Sequence, residues 1–231
     1  MTGRDFIIVN GVSSHELGLY VDTPPMPVMS TPMFQTLNIP GRVDALTIKD
    51  RAREDIPVPI SAYLFDDEAH DPNELYNYLS NAKTLITSKN ANFYYKVRRL
   101  ETLTPEYQGH GKQHLNIVFI CEGLRYAVDN DTISSRSQEF TVLVNGTEFC
   151  QPVFKLFGNG TIQLTVNDDV ENALTIYDVD GYVVADGEKI ICHKDGQFVK
   201  SKGQIPFFAV GVNKVQTNAS VIEITKNERW I

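Results

Sequence analysis

The chain has 231 residues, is 42% hydrophobic and 22% charged, and carries a formal net charge of −8, proportions ordinary for a globular protein. Residues 1–130 hold 12 basic and 16 acidic side chains and residues 131–231 hold 9 and 13, so both parts are acidic to the same extent. The even acidity argues against phosphate backbones and anionic headgroups as partners, since both need clustered Lys and Arg, and no apolar run approaches the roughly 20 residues that cross a membrane as a helix.

In chain order, residues 1–65 alternate short apolar runs with breakers. Phe6–Val9, Leu17–Val21, Phe34–Ile39, Ala45–Ile48 and Ile56–Phe65 are expected strands. Asn10-Gly11 is the pair that best tolerates the positive φ values of a tight hairpin turn, and Gly18 lets the backbone turn between Leu17 and Leu19. Thr23-Pro24-Pro25-Met26-Pro27 must be extended loop, because proline lacks a donor and fixes φ. Lys49–Asp55 alternates in sign and reads as a solvated hairpin tip.

The one predicted helix starts at Asp71-Pro72-Asn73-Glu74, with Asp71 as N-cap, Pro72 at the first position and Glu74 at capping-box spacing. Leu75, Tyr78, Leu79, Ala82, Leu85 and Ile86 then share one face, and the helix is expected to fade by Ser88–Asn90. Phe93–Val97 and His114–Glu122 read as strands around a polar loop near Gly109 and Gly111. The most polar uninterrupted segment, residues 127–137, is the expected domain boundary, giving domains 1–132 and 138–231.

Beyond it the reading is all-β. Strands are expected at Val142–Val144, Val153–Phe157, Thr161–Val166, Leu174–Tyr177, Val183–Ala185, Lys189–His193, Phe207–Val210 and Val221–Thr225. Turns are expected at Asn145-Gly146, Asn159-Gly160, Asp180-Gly181, Asp186-Gly187 and Asp195-Gly196. Many short strands with such punctuation mean a sandwich or barrel.

Residues that could carry chemistry fall short of a site. His110 and His114 have helical metal spacing, but Gly109 and Gly111 bracket His110 and no third ligand is near in sequence. Cys192, His193 and Asp195 are triad residue types, yet adjacent strand residues point to opposite faces. Asp168-Asp169-Val170-Glu171 and Asp178-Val179-Asp180-Gly181 lack a full calcium ligand ladder, and Gly158-Asn159-Gly160-Thr161 lacks the lysine and helix of a phosphate loop. Tyr177 and Tyr182 are the candidate sugar platforms, with Trp230 the only tryptophan and next to last in the sequence. The cysteines Cys121, Cys150 and Cys192 are odd in number and widely spaced, which predicts buried, reduced thiols. Met1–Asp5 has no long apolar run, so no secretory signal is expected, and the N-x-S/T matches at Asn130, Asn145, Asn159 and Asn218 read as turn residues. No catalytic, cofactor or metal residue is assigned.

The ordered set of motifs resembles a known family. Phe6-x-x-x-Asn10-Gly11 with Gly18-Leu19, then Pro40-Gly41-Arg42, the mid-chain helix and the tyrosine-rich strand, Asn145-Gly146-Thr147 with Pro152–Gly158, and Gly203–Asn213 with Gly211 and Asn213, is similar to the distal tail proteins of long-tailed bacteriophages. The resemblance implies a mainly β, two-domain chain: an N-terminal β-sandwich with one α-helix that assembles into a hexameric ring, and a C-terminal galectin-like β-sandwich that points outward. It implies a structural, non-enzymatic hub at the virion tail tip, made in the host cytoplasm. Such a hub joins the tail tube protein to a tail-associated lysin or tail fibre protein, and in some phages carries receptor-binding proteins. The alternative is a carbohydrate-binding adhesion module of the virion tail.

Overall fold

Asn10 and Gly11 lie at φ 50° and 86°, the two positive values of a type I′ turn, and they join the first two strands, β1 (Ile7–Val9) and β2 (Val12–Ser13), with Val9 opposite Val12. In this computed structural model, residues 5–41, 43–65, 72–107 and 112–231 are described. They are mainly β-strand with one α-helix, and the chain divides into two compact units, residues 1–128 with residue 231, and residues 129–230.

The first unit continues with β3 (Leu19–Thr23), β4 (Pro32–Leu37), β5 (Leu46–Arg53), β6 (Ile56–Phe65), α1 (Pro72–Ser80), β7 (Thr84–Thr87), β8 (Phe93–Tyr107) and β9 (Lys112–Ala127). Its main sheet has the order β2-β1-β7-β8-β9-β6-β3. Strand alternation turns Ile7, Val9, Val58, Ile60, Leu64, Ile117 and Phe119 inward, where they bury against Leu75 and Leu79 of the helix. Pro57 and Pro59 seem out of place in a long strand flanked on both sides. The register explains them: β3 covers only Ser61–Leu64 of β6, so the prolines lie where one neighbour is missing and no donor is required.

Two expectations fail in this unit. The helix ends at Ser80, and Leu85 and Ile86 belong to a strand rather than to its apolar stripe. Thr84-Leu85-Ile86-Thr87 is β-branched at three of four positions and finds partners on both sides, β1 and β8, so sheet pairing overrides the helical spacing. Leu85 is fully buried all the same, from the sheet instead of the helix. Lys49–Arg53 is not a hairpin tip but the second half of β5, paired with β4; the tip is the segment between Leu37 and Leu46. The expected N-cap Asp71 and the loop histidine His110 with Gly109 and Gly111 lie outside the described residues.

The second unit comprises β10 (Thr132–Ser135), β11 (Glu139–Val144), β12 (Val153–Val166), β13 (Leu174–Asp186), β14 (Ile191–Lys194), β15 (Gln197–Phe198), β16 (Ser201–Lys202), β17 (Gly211–Thr217) and β18 (Val221–Thr225). The path is β10-β18-β12-β13-β14-β15, with β16 on β13 and with β17 bridging β12 and β11. Phe154, Leu156, Leu164, Ile176, Val183, Phe208, Val215 and Ile224 form its core, each fully buried.

Asn159-Gly160 and Asp180-Gly181 are not separate hairpin turns. They face each other in the middle of the long β12–β13 pair, Gly158 against Gly181 and Asn159 against Asp180. A bulge follows between Gly160 and Ile162, and both Gly160 and Gly181 have positive φ. The paired strands bend there, so that β12 pairs with β18 before the bulge and with β17 after it. Strands that change partners at a bulge are how a sandwich turns its corners. The expected strand Phe207–Val210 is displaced as well, since the ladder starts at Gly211 and only Phe208 bridges, to Cys150.

Candidate functional site

The motif residues act on the backbone. Asn10 Oδ1 accepts the backbone N–H of Lys83 at 2.7 Å and of Thr84 at 3.2 Å, and its Nδ2 donates to the Asn81 carbonyl at 3.2 Å. The Tyr78 hydroxyl donates to the Val9 carbonyl at 2.6 Å. One side chain thus ties the first hairpin to the connection between α1 and β7. Phe6 is half-buried just before β1, and its carbonyl accepts the Ser88 N–H at 2.9 Å. Gly18, at φ 69°, closes the turn in which the Leu19 N–H returns to the Ser14 carbonyl, and it delivers Leu19 fully buried into the core. Gly41 sits at φ 85° beside Pro40 in the exposed β4–β5 tip; Arg42 lies outside the described residues.

At the other end of the chain Asn213 has the same kind of task. It is fully buried. Its Oδ1 accepts the Ala209 N–H at 2.9 Å and the Asn167 amide at 3.0 Å, and its Nδ2 donates to the carbonyls of Ala209 at 2.8 Å and Gly211 at 3.1 Å. Gly211, at φ 94°, makes the tight loop that this side chain fills.

The residues with chemical potential are dispersed or engaged. His114 lies on β9, with Nε2 2.8 Å from the Ser61 hydroxyl and its ring against Tyr63. Cys192 is buried and its neighbour His193 faces the other way, half-exposed. Burial pushes the thiols of Cys121 and Cys150 up to about 12 and raises that of Cys192. Asp168 pairs with Lys214 at 3.2 Å, Asp169 accepts the Asn172 N–H, and the Asp180 carbonyl accepts Lys194 Nζ. Among the described residues no three His, Cys, Asp or Glu side chains gather as a metal site. Tyr182 donates its hydroxyl to Asp195, which raises its pKa, and its ring neighbours Phe157 and the ammonium groups of Lys155 and Lys194. Tyr177 is half-buried, 5.5 Å from Lys200 Nζ.

One feature was missed by motif reading. The β4–β5 hairpin is a two-stranded sheet of its own. Its base is anchored: Thr31 Oγ1 donates to Glu54 at 2.6 Å, Arg53 donates to the Ser30 carbonyl at 3.1 Å, and buried Ser30 donates to the carbonyl of Gly123. Gly123 is required there, because a Cβ would collide with the Glu54 carbonyl oxygen and with Ser30. Beyond the base the hairpin is exposed. Opposed residues share a face, so Ile48, Leu37 and Leu46 line one side with Gln35, and Thr36, Thr47 and Lys49 line the other with Phe34. The signal available in the sequence was the alternation itself, obscured by the charges that follow Ile48.

No family model matches the sequence, and no curated protein is significantly similar to it. The structure, however, is similar to the crystal structure of SPP1 Dit (gp 19.1), described as a paradigm of the hub adsorption apparatus in phages infecting Gram-positive bacteria. The TM-score is 0.74 at 11% identity, covering 99% of this chain and 100% of that one. The mainly β fold expected from the motif set is therefore observed, and it is the fold of a phage distal tail protein.

Proposed function

We propose that this chain is a structural hub protein of a phage tail tip. The observation that carries the reading is the end-to-end likeness to SPP1 Dit, which leaves almost no part of either chain unmatched. The motif residues support it, since Asn10, Gly11, Gly18 and Asn213 spend their polar groups and special φ values on the scaffold. In this reading six copies close into a ring through the first unit. The ring joins the tail tube protein to the tail-associated lysin or fibre protein. The second unit is a galectin-like docking surface or spacer. Identical subunits in head-to-tail contact either close or grow into fibres, and a hub at a tail tip requires closure.

The test is the mass of the purified protein by light scattering and native mass spectrometry. The expected particle is six times the 26.0 kDa chain, with interfaces burying upward of about 2,000 Å² each. A strict monomer at high concentration, with no ring on virions by electron microscopy, overturns the proposal.

A further inference from the structure

We infer that the β4–β5 hairpin is an arm that docks by its apolar face into a groove on the first unit of a second copy of this chain. The inference rests on the ring reading and names the two surfaces that meet. An isolated two-stranded hairpin is marginal in water, and this one keeps Leu37, Leu46 and Ile48 on one side at 48%, 40% and 43% exposure, with Ile39 and Val43 uncovered at the tip. The other side is polar apart from Phe34. A ridge of this kind is an apolar strip waiting for a surface.

The same unit offers a matching concavity. A cavity of about 220 Å³ opens between α1 and the sheet, with Leu64, Leu75 and Leu115 as its floor and Tyr76, Leu103 and Pro105 around it. Nothing polar is buried at its floor, so an aliphatic side chain entering it leaves no group unsatisfied. The arm does not fill this groove within its own chain, because the ridge residues remain exposed. A second copy supplies ridge and groove in equal number, and a ridge on one copy meeting a groove on the next is a head-to-tail contact, the type that generates rings. The base anchorage through Ser30, Arg53 and Gly123 gives the arm a fixed root from which to reach.

The test separates arm from groove. Leu37→Asp/Leu46→Asp removes the ridge and leaves the groove; Tyr76→Asp/Pro105→Asp does the reverse. All four positions are exposed, and a melting temperature within a few degrees of wild type verifies each fold; Val43→Asp and Leu103→Asp serve as second variants. By sedimentation, wild type forms the ring and each variant alone is monomeric, the assembly midpoint rising by at least about tenfold. An equimolar mixture yields a two-chain complex and no larger, because only one productive contact remains. An arm variant with wild-type mass, or a mixture that stays monomeric, overturns this inference while leaving the ring reading in place. Wild type that never exceeds monomer mass removes the ring reading and the arm with it.

Discussion

Asn10 and Lys83 are 73 residues apart in sequence, yet the side-chain carbonyl of one accepts the backbone N–H of the other at 2.7 Å. The hydrogen bond fixes where the chain goes after its only described helix. With the Thr84 N–H and the Asn81 carbonyl as further partners, Asn10 serves the loop that no regular secondary structure satisfies.

Asn10→Ala should therefore destabilise the first unit by about 1–2 kcal/mol, since the released groups are near solvent and water takes up part of the loss. Gly11→Val should cost about 1–3 kcal/mol for a different reason. No atom lies within 4 Å of where a Cβ would stand, so the whole penalty is the β-branched backbone at φ 86°. Urea unfolding of both variants checks the pair; a Gly11→Val variant as stable as wild type contradicts the turn geometry.

These two residues also show what is legible in a sequence. Asn-Gly states that positive φ is tolerated, and at residues 10 and 11 that means a reversal because β1 and β2 are short. At residues 159 and 160 the same dipeptide sits in a bend of a strand that carries on, because β13 brings its own glycine opposite and holds the two together. The helix stripe through Leu85 and Ile86 misled in the same way, since the partners of β7 are far away in sequence. The outer half of β8, from Arg98 to Tyr107, was invisible to patterning because almost none of it is buried. The β4–β5 arm was hidden for the related reason that its apolar face has no cover within the chain.

Asn213 gives a sharper test than Asn10 because it is fully buried. Asn213→Leu removes a side chain that makes four hydrogen bonds and strands the Ala209 N–H and the Asn167 amide. A loss of about 2–4 kcal/mol is expected, readable as a lower melting temperature of the second unit. Asn213→Asp should recover part of it, because the acceptor contacts persist.

Asp186 makes the second unit sensitive to acid. Burial would raise its carboxyl, but the Lys189 ammonium at 2.9 Å and the backbone N–H groups of Glu188 and Lys189 prevail and hold it below its ordinary value of 3.8. A carboxyl depressed in the folded state favours folding at pH above its unfolded value, and that contribution is lost as pH falls through the folded one. The stability difference between wild type and Asp186→Asn should be constant from about pH 5 to 7 and shrink below about pH 4. A difference independent of pH down to full acid unfolding would contradict the ion pair.

The thiols offer a readout of opening. Cys121, Cys150 and Cys192 are buried and none is in a disulfide, and with two of them pushed up to about 12 there is almost no thiolate at pH 8. Native protein should leave a disulfide reagent unconsumed, and denatured protein should consume three equivalents per chain. Labelling of the native protein at one site would locate a unit that opens.

Sugar binding by the second unit is the remaining alternative, and Tyr182 decides it. A stacking platform needs an aromatic face open to a pyranose ring. The Tyr182 ring has Phe157 at 6.2 Å and two lysine ammonium groups at 5.4 Å, and Asp195 takes its hydroxyl. These contacts make Tyr182 part of the outer packing of β12, β13 and β14. Tyr182→Ala should therefore lower the melting temperature of the protein, while wild type shows no saturable heat with host cell-wall polysaccharide in calorimetry. Micromolar binding that disappears in Tyr177→Ala or Tyr182→Ala, with stability unchanged, would reverse the assignment and make the second unit an adhesion module.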